Sequence, residues 1–150
     1  NEGRIVYISS VLGFVAMPFR GPYVASKFAI EGLVGTLRLE LSDTNIKFSS
    51  IQPGPIESKF RQNAYLAFQQ NVDISSSHYK NQYKLMIKRL QSGQNVKFTL
   101  PPEAVLKSTI HALESSNPKN YYRVTFPTKL FSILGKILPS KWMDYILNQS

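Results

Sequence analysis

The chain has 150 residues, of which 43% are apolar and 18% charged, so it is long enough for one domain with a hydrophobic core and too apolar for a wholly disordered segment. It contains no cysteine, which excludes disulfide bonds, thiolate metal ligands and a cysteine nucleophile. No apolar run is long enough to cross a bilayer, and no signal-peptide pattern is visible ahead of the first predicted strand.

Positive charge is concentrated in the second part of the chain. The formal net charge is +9, from 18 basic and 9 acidic residues. Residues 1–58 are neutral, with five residues of each sign, whereas 59–150 hold the remaining 13 basic and 4 acidic residues. Such an excess is typical of contact with nucleic acid, an anionic membrane surface or an anionic ligand, and equally of a solvated face. Because no nucleic-acid-binding motif accompanies it, no nucleic-acid partner is expected.

Two apolar segments in the first third of the chain flank a long helical pattern. The run Ile5–Ile8 is short, continuous and rich in β-branched side chains, which predicts a strand buried on both faces. Apolar residues recur at spacings of three and four across 22–41, and Pro22 suits a first helical turn, so a helix is predicted there. A second strand is predicted over 46–52, where Pro53-Gly54-Pro55 ends it. This order predicts a βαβ unit with parallel strands.

The rest of the chain continues the alternation of helices and strands. Two helices are predicted near 57–68 and 79–91, around a polar loop at 71–77. Pro101-Pro102-Glu103 begins a further helix, 121–125 predicts a third strand, and the tail from Thr128 onward has helical spacing. The predicted fold class is therefore α/β.

Ser10, Tyr23 and Lys27 are the candidate catalytic residues. Tyr23 and Lys27 are four residues apart and therefore project from the same face of the predicted helix. Ser10 follows the first strand, at the sheet edge where parallel sheets bind ligands. Since an ammonium favours the phenolate form of a nearby phenol, and a serine hydroxyl can bind a carbonyl or alkoxide oxygen, the three predict proton transfer at a substrate oxygen. Taken alone, the Tyr23–Lys27 pair is better explained as an amphipathic helix face with an extended lysine.

The surroundings of these residues resemble the short-chain dehydrogenase/reductase family. Tyr23-Val24-Ala25-Ser26-Lys27 matches the family signature YxASK, and Ser10, thirteen residues earlier, stands where the family has its catalytic serine. Pro53-Gly54-Pro55-Ile56 matches the Pro-Gly motif that ends the next strand. The sequence is most similar to bacterial oxidoreductases related to retinol and hydroxysteroid dehydrogenases. The resemblance implies the C-terminal half of a Rossmann-type, doubly wound parallel sheet in three α/β/α layers, with a helical substrate lid.

The resemblance also implies a role for each residue. Tyr23 would be the general acid–base, Lys27 would hold the nicotinamide ribose and favour the phenolate form of Tyr23, and Ser10 would orient the substrate oxygen. The implied cofactor is NADP or NAD, which exchanges a hydride with the substrate carbon. Ser58 stands where the family often has a threonine that contacts the cofactor carboxamide. The full set implied to bind the cofactor is Tyr23, Lys27, Pro53, Gly54, Pro55, Ile56 and Ser58.

Two motifs of the family do not occur in these 150 residues, namely the Gly-rich turn TGxxxGxG and Asn-Asn-Ala-Gly. The chain is therefore expected to be the C-terminal part of one longer domain, inactive alone, whose pyrophosphate site and NAD-versus-NADP residue precede Asn1. A homo-oligomer through helix 22–41 is implied for the complete protein. The expected segments are a catalytic βαβ segment over 1–58, a variable substrate lid over 59–100, a helix and last strand over 101–127 and an amphipathic tail over 128–150.

Apolar side chains in the lid and before Tyr23 predict a pocket for a lipophilic alcohol or its aldehyde or ketone. Ordinary packing of two helices is the alternative explanation for part of the lid. The candidate substrate-binding residues are Ser10, Leu12, Phe14, Met17, Phe19 and Phe60. No metal site is expected, because His78 and His111 lack ligand-like spacing with carboxylates. Glu31, one turn after Lys27, is expected to form a surface ion pair with it at most.

The tail from Thr128 predicts an amphipathic helix. Leu130, Phe131, Leu134, Ile137 and Leu138 are expected on one face, with Lys129, Ser132 and Lys136 on the other. Such a helix could lie on an anionic membrane, cover the pocket or a partner subunit, or dock on its own domain. The alternative function is therefore a non-catalytic scaffold that binds a membrane surface or a partner through this tail. The expected localisation is cytoplasmic, with membrane association as the alternative.

Overall fold

A parallel sheet flanked by helices organises the larger part of the chain in the computed structural model, which describes residues 2–91 and 97–149. In that part of the chain three strands pair in the order β1-β2-β3, and both pairs are parallel. The predicted α/β class with a parallel sheet is thus confirmed. The elements are β1 Glu2–Ile8, a 3₁₀ turn Val11–Gly13, α1 Gly21–Glu40, β2 Asn45–Gln52, α2 Phe60–Asn71, α3 Lys80–Gln91, α4 Glu103–Glu114, β3 Tyr121–Arg123, α5 Phe126–Ile137 and α6 Ser140–Asn148.

The two faces of the sheet are covered by different helices. On one face Ile51 and Tyr122, which pair across β2 and β3, pack with Ala112 of α4 into a buried cluster. On the other face Ser50, the neighbour of Ile51, donates a hydrogen bond of 2.7 Å to Glu31 of α1. Because successive side chains of a strand point to opposite faces, α1 and α4 lie on opposite sides of β2.

A buried tyrosine ties α4 to the strand beside it. The hydroxyl of Tyr122 accepts a hydrogen bond of 2.9 Å from the amide nitrogen of Lys119 and lies 2.7 Å from Nδ1 of His111. His111 is itself exposed on α4. The histidine therefore supplies a polar partner for a phenol that the core otherwise buries.

The chain divides into two compact units. One comprises Asn1–Ile56 and Phe98–Ser150 and contains the sheet, whereas the other is Glu57–Lys97 and contains α2 and α3. In the second unit the rings of Phe68 and Tyr83 lie 5.5 Å apart. Between its helices, Asp73 accepts hydrogen bonds from the amide and hydroxyl of Ser75, which hold the pKa of the Asp73 carboxyl below its ordinary value. Residues 92–96 of the predicted lid lie outside the described residues.

The prediction that β1 is buried on both faces is wrong. Ile5 and Ile8 are exposed, while Val6 packs against the core cluster around Ile51. Within the described residues β1 pairs only with β2, so it is an edge strand of this sheet. A continuous apolar run therefore did not guarantee burial, because burial of a strand also requires a neighbour on its second edge.

The predicted division of the tail into faces is only partly right. Phe131, Leu134 and Leu138 are half-buried, as a docked face requires. Leu130 and Ile137, which were expected beside them, are exposed. Helix α5 thus has a second apolar face.

Candidate active site

Ser10 lies just beyond the carboxyl end of β1, and hydrogen bonds fix its position beside β2. The amide of Ser9 donates to the carbonyl of Ile51 at 2.8 Å, and the amide of Val11 donates to the carbonyl of Pro53 at 2.7 Å. The parallel ladder therefore continues past the end of β1 and holds Ser10 next to the Pro53–Ile56 segment.

The side chain of Ser10 also caps the 3₁₀ turn that follows it. Its Oγ accepts a hydrogen bond of 3.1 Å from the amide of Leu12. A hydroxyl has one donor and two acceptor positions, so this bond leaves its proton available to another acceptor. A substrate oxygen is an acceptor of that kind.

Tyr23 and Lys27 both lie in the first turns of α1, whose start contains Pro22. Both side chains are half-buried, and Nζ of Lys27 is 5.7 Å from the centroid of the Tyr23 ring. The same ammonium donates a hydrogen bond of 3.0 Å to the carbonyl of Ile8, the last residue of β1. The lysine therefore lies between the tyrosine and the strand that leads to Ser10.

Gly13 allows α1 to approach this strand end closely. A Cβ atom at Gly13 would lie 2.6 Å from Oγ of Ser9, 2.9 Å from Cγ of Glu31 and 3.2 Å from the carbonyl oxygen of Lys27. A larger residue at this position would require the Ser9 and Glu31 side chains, and to a lesser extent the backbone at Lys27, to shift. The glycine thus contributes to bringing Ser10 and Lys27 into one region.

The Pro53–Ile56 segment follows β2 and lies against the start of α5. A Cβ atom at Gly54 would meet Oγ1 of Thr125 and lie 2.8 Å from Oγ1 of Thr128. Both threonines are fully buried, and their hydroxyls are 2.9 Å apart. Next to them, the amide of Leu100 donates to the carbonyl of Pro55 at 3.1 Å.

The candidate substrate residues before α1 differ in exposure. Leu12, Phe14 and Met17 are half-buried, whereas Phe19 is exposed and has a φ of 59°. That left-handed conformation is unfavourable for an aromatic residue and is a form of strain often found at functional sites. These positions bring apolar side chains into the loop between Ser10 and Tyr23.

Ser58 and Phe60 belong to the second compact unit. Phe60 is the exposed first residue of α2, and its amide donates to Oγ of Ser58 at 3.3 Å. The hydroxyl of Ser58 thus accepts a hydrogen bond from the first turn of α2. The contacts predicted for these two residues with cofactor and substrate stay predictions.

Three residues near the site were missed or misjudged from the sequence. Glu31 does more than the surface ion pair expected of it, because its Oε1 accepts from the fully buried Ser50. Thr125 and Thr128 were not identified as neighbours of the Pro-Gly motif. The Thr-x-x-Thr pattern at a helix start was the only available signal, and it did not indicate which backbone the threonines contact.

Neither a metal cluster nor a membrane-spanning helix is found in the described part of the chain. Across 2–91 and 97–149, no three His, Cys, Asp or Glu side chains are grouped so that they could hold a metal ion. No helix in the same residues has the length and apolar character needed to cross a membrane.

Comparison with known proteins gives the same family over most of the chain. A family model described as short chain dehydrogenase matches residues 1–67. The chain is 40% identical over 147 residues to the uncharacterized oxidoreductase YbbO of Escherichia coli K12, covering 98% of this chain and 49% of that protein. It is 32% identical to human retinol dehydrogenase 8 (79% of this chain, 38% of that protein) and 30% identical to mouse 17-beta-hydroxysteroid dehydrogenase type 6 (97% and 48%).

A solved structure shares the fold. A short chain dehydrogenase/reductase of Burkholderia phymatum, crystallised in complex with NAD, superposes with a TM-score of 0.62 at 20% identity, covering 89% of this chain and 46% of that one. The chain spans about half the length of the curated relatives it matches. These findings define a Rossmann-type fold. The chain belongs to the short-chain dehydrogenase/reductase family, and its relation to retinol and hydroxysteroid dehydrogenases is confirmed.

Proposed function

We propose that the protein is an NAD- or NADP-dependent oxidoreductase that interconverts a lipophilic alcohol and its aldehyde or ketone, with Tyr23 as the acid–base. The observation that carries this proposal is the arrangement of Lys27, whose Nζ lies 5.7 Å from the Tyr23 ring centroid and 3.0 Å from the carbonyl of Ile8. A solvated lysine on an amphipathic helix has no need of that strand-end contact, which favours the catalytic interpretation over the structural one.

The donor groups of the site fit the ribose of a dinucleotide. The ammonium of Lys27 has three N–H donors, of which one is directed to Ile8 and two can serve vicinal hydroxyl groups. Pro53, Gly54, Pro55 and Ile56 would line the nicotinamide, and Ser58 would contact its carboxamide. When bound, the nicotinamide supplies the hydride exchange with the substrate carbon.

The residues of this chain would handle the substrate oxygen. Ser10 would donate its proton to that oxygen and hold it, since its own Oγ already accepts from Leu12. Tyr23 would give a proton to the oxygen in reduction and take one in oxidation. Lys27 would stabilise the phenolate between these steps, because its ammonium lies beside the Tyr23 ring and opposite charges attract.

A lipophilic substrate is supported by apolar side chains in the segment that precedes Tyr23 and by the named relatives. Leu12, Phe14, Met17 and Phe19 present apolar groups in the loop that precedes α1. A retinol dehydrogenase and a hydroxysteroid dehydrogenase are among the similar proteins. Each methylene that a substrate buries contributes about 0.8 kcal/mol, so selectivity for long apolar chains would follow.

The test uses the complete protein, extended to the length of its relatives, and a series of linear aldehydes. We expect kcat/KM to rise by roughly fourfold for each added methylene that the pocket buries. Tyr23→Phe is expected to lower kcat by about 10² to 10⁴ for every aldehyde, while dinucleotide binding persists. The matched control is Tyr145→Phe, which changes an exposed tyrosine on α6 and should leave turnover unchanged. Ordinary turnover by Tyr23→Phe would remove the proposed proton donor.

A further inference from the structure

Among the described residues, the C-terminal helices carry a set of large apolar side chains that stay substantially exposed. We define the tail stripe as Leu130, Ile133 and Ile137 of α5 with Trp142 and Tyr145 of α6. The exposed fractions of the last four are 56%, 70%, 66% and 70%, and that of Leu130 is 38%. The α5 members recur at spacings of three and four and so share one helix face. Single exposed apolar residues are common on soluble proteins, whereas a continuous stripe marks an interaction surface.

Docking of the tail on its own sheet unit does not account for this stripe. The inner face of α5, with Phe131, Leu134 and Leu138, already provides the buried contacts. In α6 the same role falls to the buried Leu147. The tail stripe is therefore a second apolar face, and it points away from the residues on which the two helices rest.

The charges beside the stripe identify the kind of surface it fits. Lys129 and Lys136 of α5 and Lys141 of α6 are exposed, while Asp144 is the only acidic residue in the tail. Apolar residues bordered by lysines fit a layer that is apolar inside and negatively charged at its surface. Exposed Trp and Tyr are the aromatic residues enriched at that boundary. Helices of this kind lie in the membrane interface.

We propose that the tail stripe binds the surface of a membrane that contains anionic lipids, with Leu130, Ile133 and Ile137 inserted among the acyl chains and the three lysines at the headgroups. This function is independent of the proposed oxidoreductase reaction and compatible with it. Because attraction between exposed lysines and headgroups is screened by ions, binding should weaken as salt concentration rises.

The test measures binding to vesicles of phosphatidylcholine with and without phosphatidylserine by flotation. Wild-type protein is expected to float with the phosphatidylserine vesicles. Lys129→Gln with Lys136→Gln should weaken this partitioning about 30-fold, since each lysine near an anionic surface contributes about fivefold. Ile133→Ser with Ile137→Ser should weaken it as well. Leu85→Ser on α3, where the leucine is also 70% exposed, is the matched control and should bind as wild type does.

Trp142 locates the bound surface, because it is the only tryptophan in the chain. Binding through the tail stripe should shift its emission to the blue and protect it from acrylamide. Absence of binding to phosphatidylserine vesicles, or binding that leaves Trp142 as accessible to acrylamide as before, would overturn the proposal. So would an equal loss in Leu85→Ser. Loss of self-association in the Ile133/Ile137 variant, without lipid binding by the wild type, would assign the stripe to a second copy instead.

Discussion

Gly54 illustrates how one residue links the predicted cofactor motif to the scaffold. The side chains that a Cβ at Gly54 would meet, Thr125 and Thr128, are fully buried at the N-terminal end of α5. A buried threonine that also bonds a second hydroxyl cannot rotate away freely. The glycine of the Pro-Gly motif is therefore required by packing, independently of its proposed role beside a nicotinamide.

Replacing Gly54 should destabilise the fold through a steric clash, and a second substitution at Thr125 should relieve part of that clash. Gly54→Ala is expected to lower the free energy of unfolding by about 1–3 kcal/mol, the usual cost of overpacking. The measurement is denaturant unfolding. The double variant Gly54→Ala with Thr125→Ala removes the nearest oxygen and should lose less than the sum of the two single losses. Gly3→Ala, where a Cβ meets no atom within 4 Å among the described residues, is the control. Additive losses in the double variant would refute the clash.

For single residues, the sequence predicted contacts between positions that are close along the chain. It missed contacts between positions that are far apart along the chain. Tyr23 and Lys27 could be paired because helical geometry alone fixes their separation. Thr125 could not be assigned to Gly54, since 71 positions separate them and only the folded sheet joins them. Glu31 was misjudged for the same reason, as its partner Ser50 comes from the strand beneath the helix.

Among the elements, α1 has a side with two glycines between exposed apolar residues, in addition to the side that buries Val34. Phe28, Gly32, Gly35 and Leu39 recur at spacings of three and four, and both apolar side chains are exposed. A Cβ at either glycine meets no atom within 4 Å in the described part of the chain. Two glycines between two large apolar residues allow another helix to approach closely. This surface suits the homo-oligomer that stays a prediction for the complete protein.

Larger side chains at Gly32 and Gly35 should have opposite effects on the stability of the fold and on self-association. Gly32→Leu with Gly35→Leu is expected to raise the free energy of unfolding by about 1 kcal/mol per site, because leucine favours the helix more than glycine does. It should at the same time weaken self-association, measured by sedimentation velocity on the complete protein. Gly135→Leu in α5, which also meets no described atom within 4 Å, should share the first effect and lack the second. Unchanged association in the double variant would exclude α1 as the contact.

The order of elements was predictable, and their environments were less so. The helix predicted over 22–41 is Gly21–Glu40, and the strand predicted over 46–52 is Asn45–Gln52. Hydrophobic periodicity defines such elements because it repeats over many residues. The helix predicted near 57–68 instead runs from Phe60 to Asn71. At its start, the amide of Phe60 donates a hydrogen bond to Oγ of Ser58. The exposure of β1 depends on what lies at its other edge, which periodicity cannot indicate.

Considered at the scale of the sheet, the candidate site residues follow the carboxyl ends of β1 and β2. Ser10 follows β1 and Pro53 follows β2, and the amide of Val11 joins the two segments. The other edge of β1 has no paired strand in the described residues. In open parallel sheets a dinucleotide lies across the carboxyl ends of several strands, with its pyrophosphate at a Gly-rich turn. In the proposed function, the groups of this chain would hold the nicotinamide end of such a ligand.

The 150-residue chain should therefore bind dinucleotides poorly. It has no TGxxxGxG turn to receive the negatively charged pyrophosphate that both dinucleotides share. We expect no saturable quenching of Trp142 and no heat of binding when NADH or NADPH is titrated into the chain. Protein extended to the length of its relatives should bind at least one of the two. Because nicotinamide mononucleotide lacks the adenosine half, it is the control for residual affinity at Lys27. Saturable binding of NADH by the 150-residue chain would mean that Lys27 and the Pro53–Ile56 segment suffice to hold the cofactor.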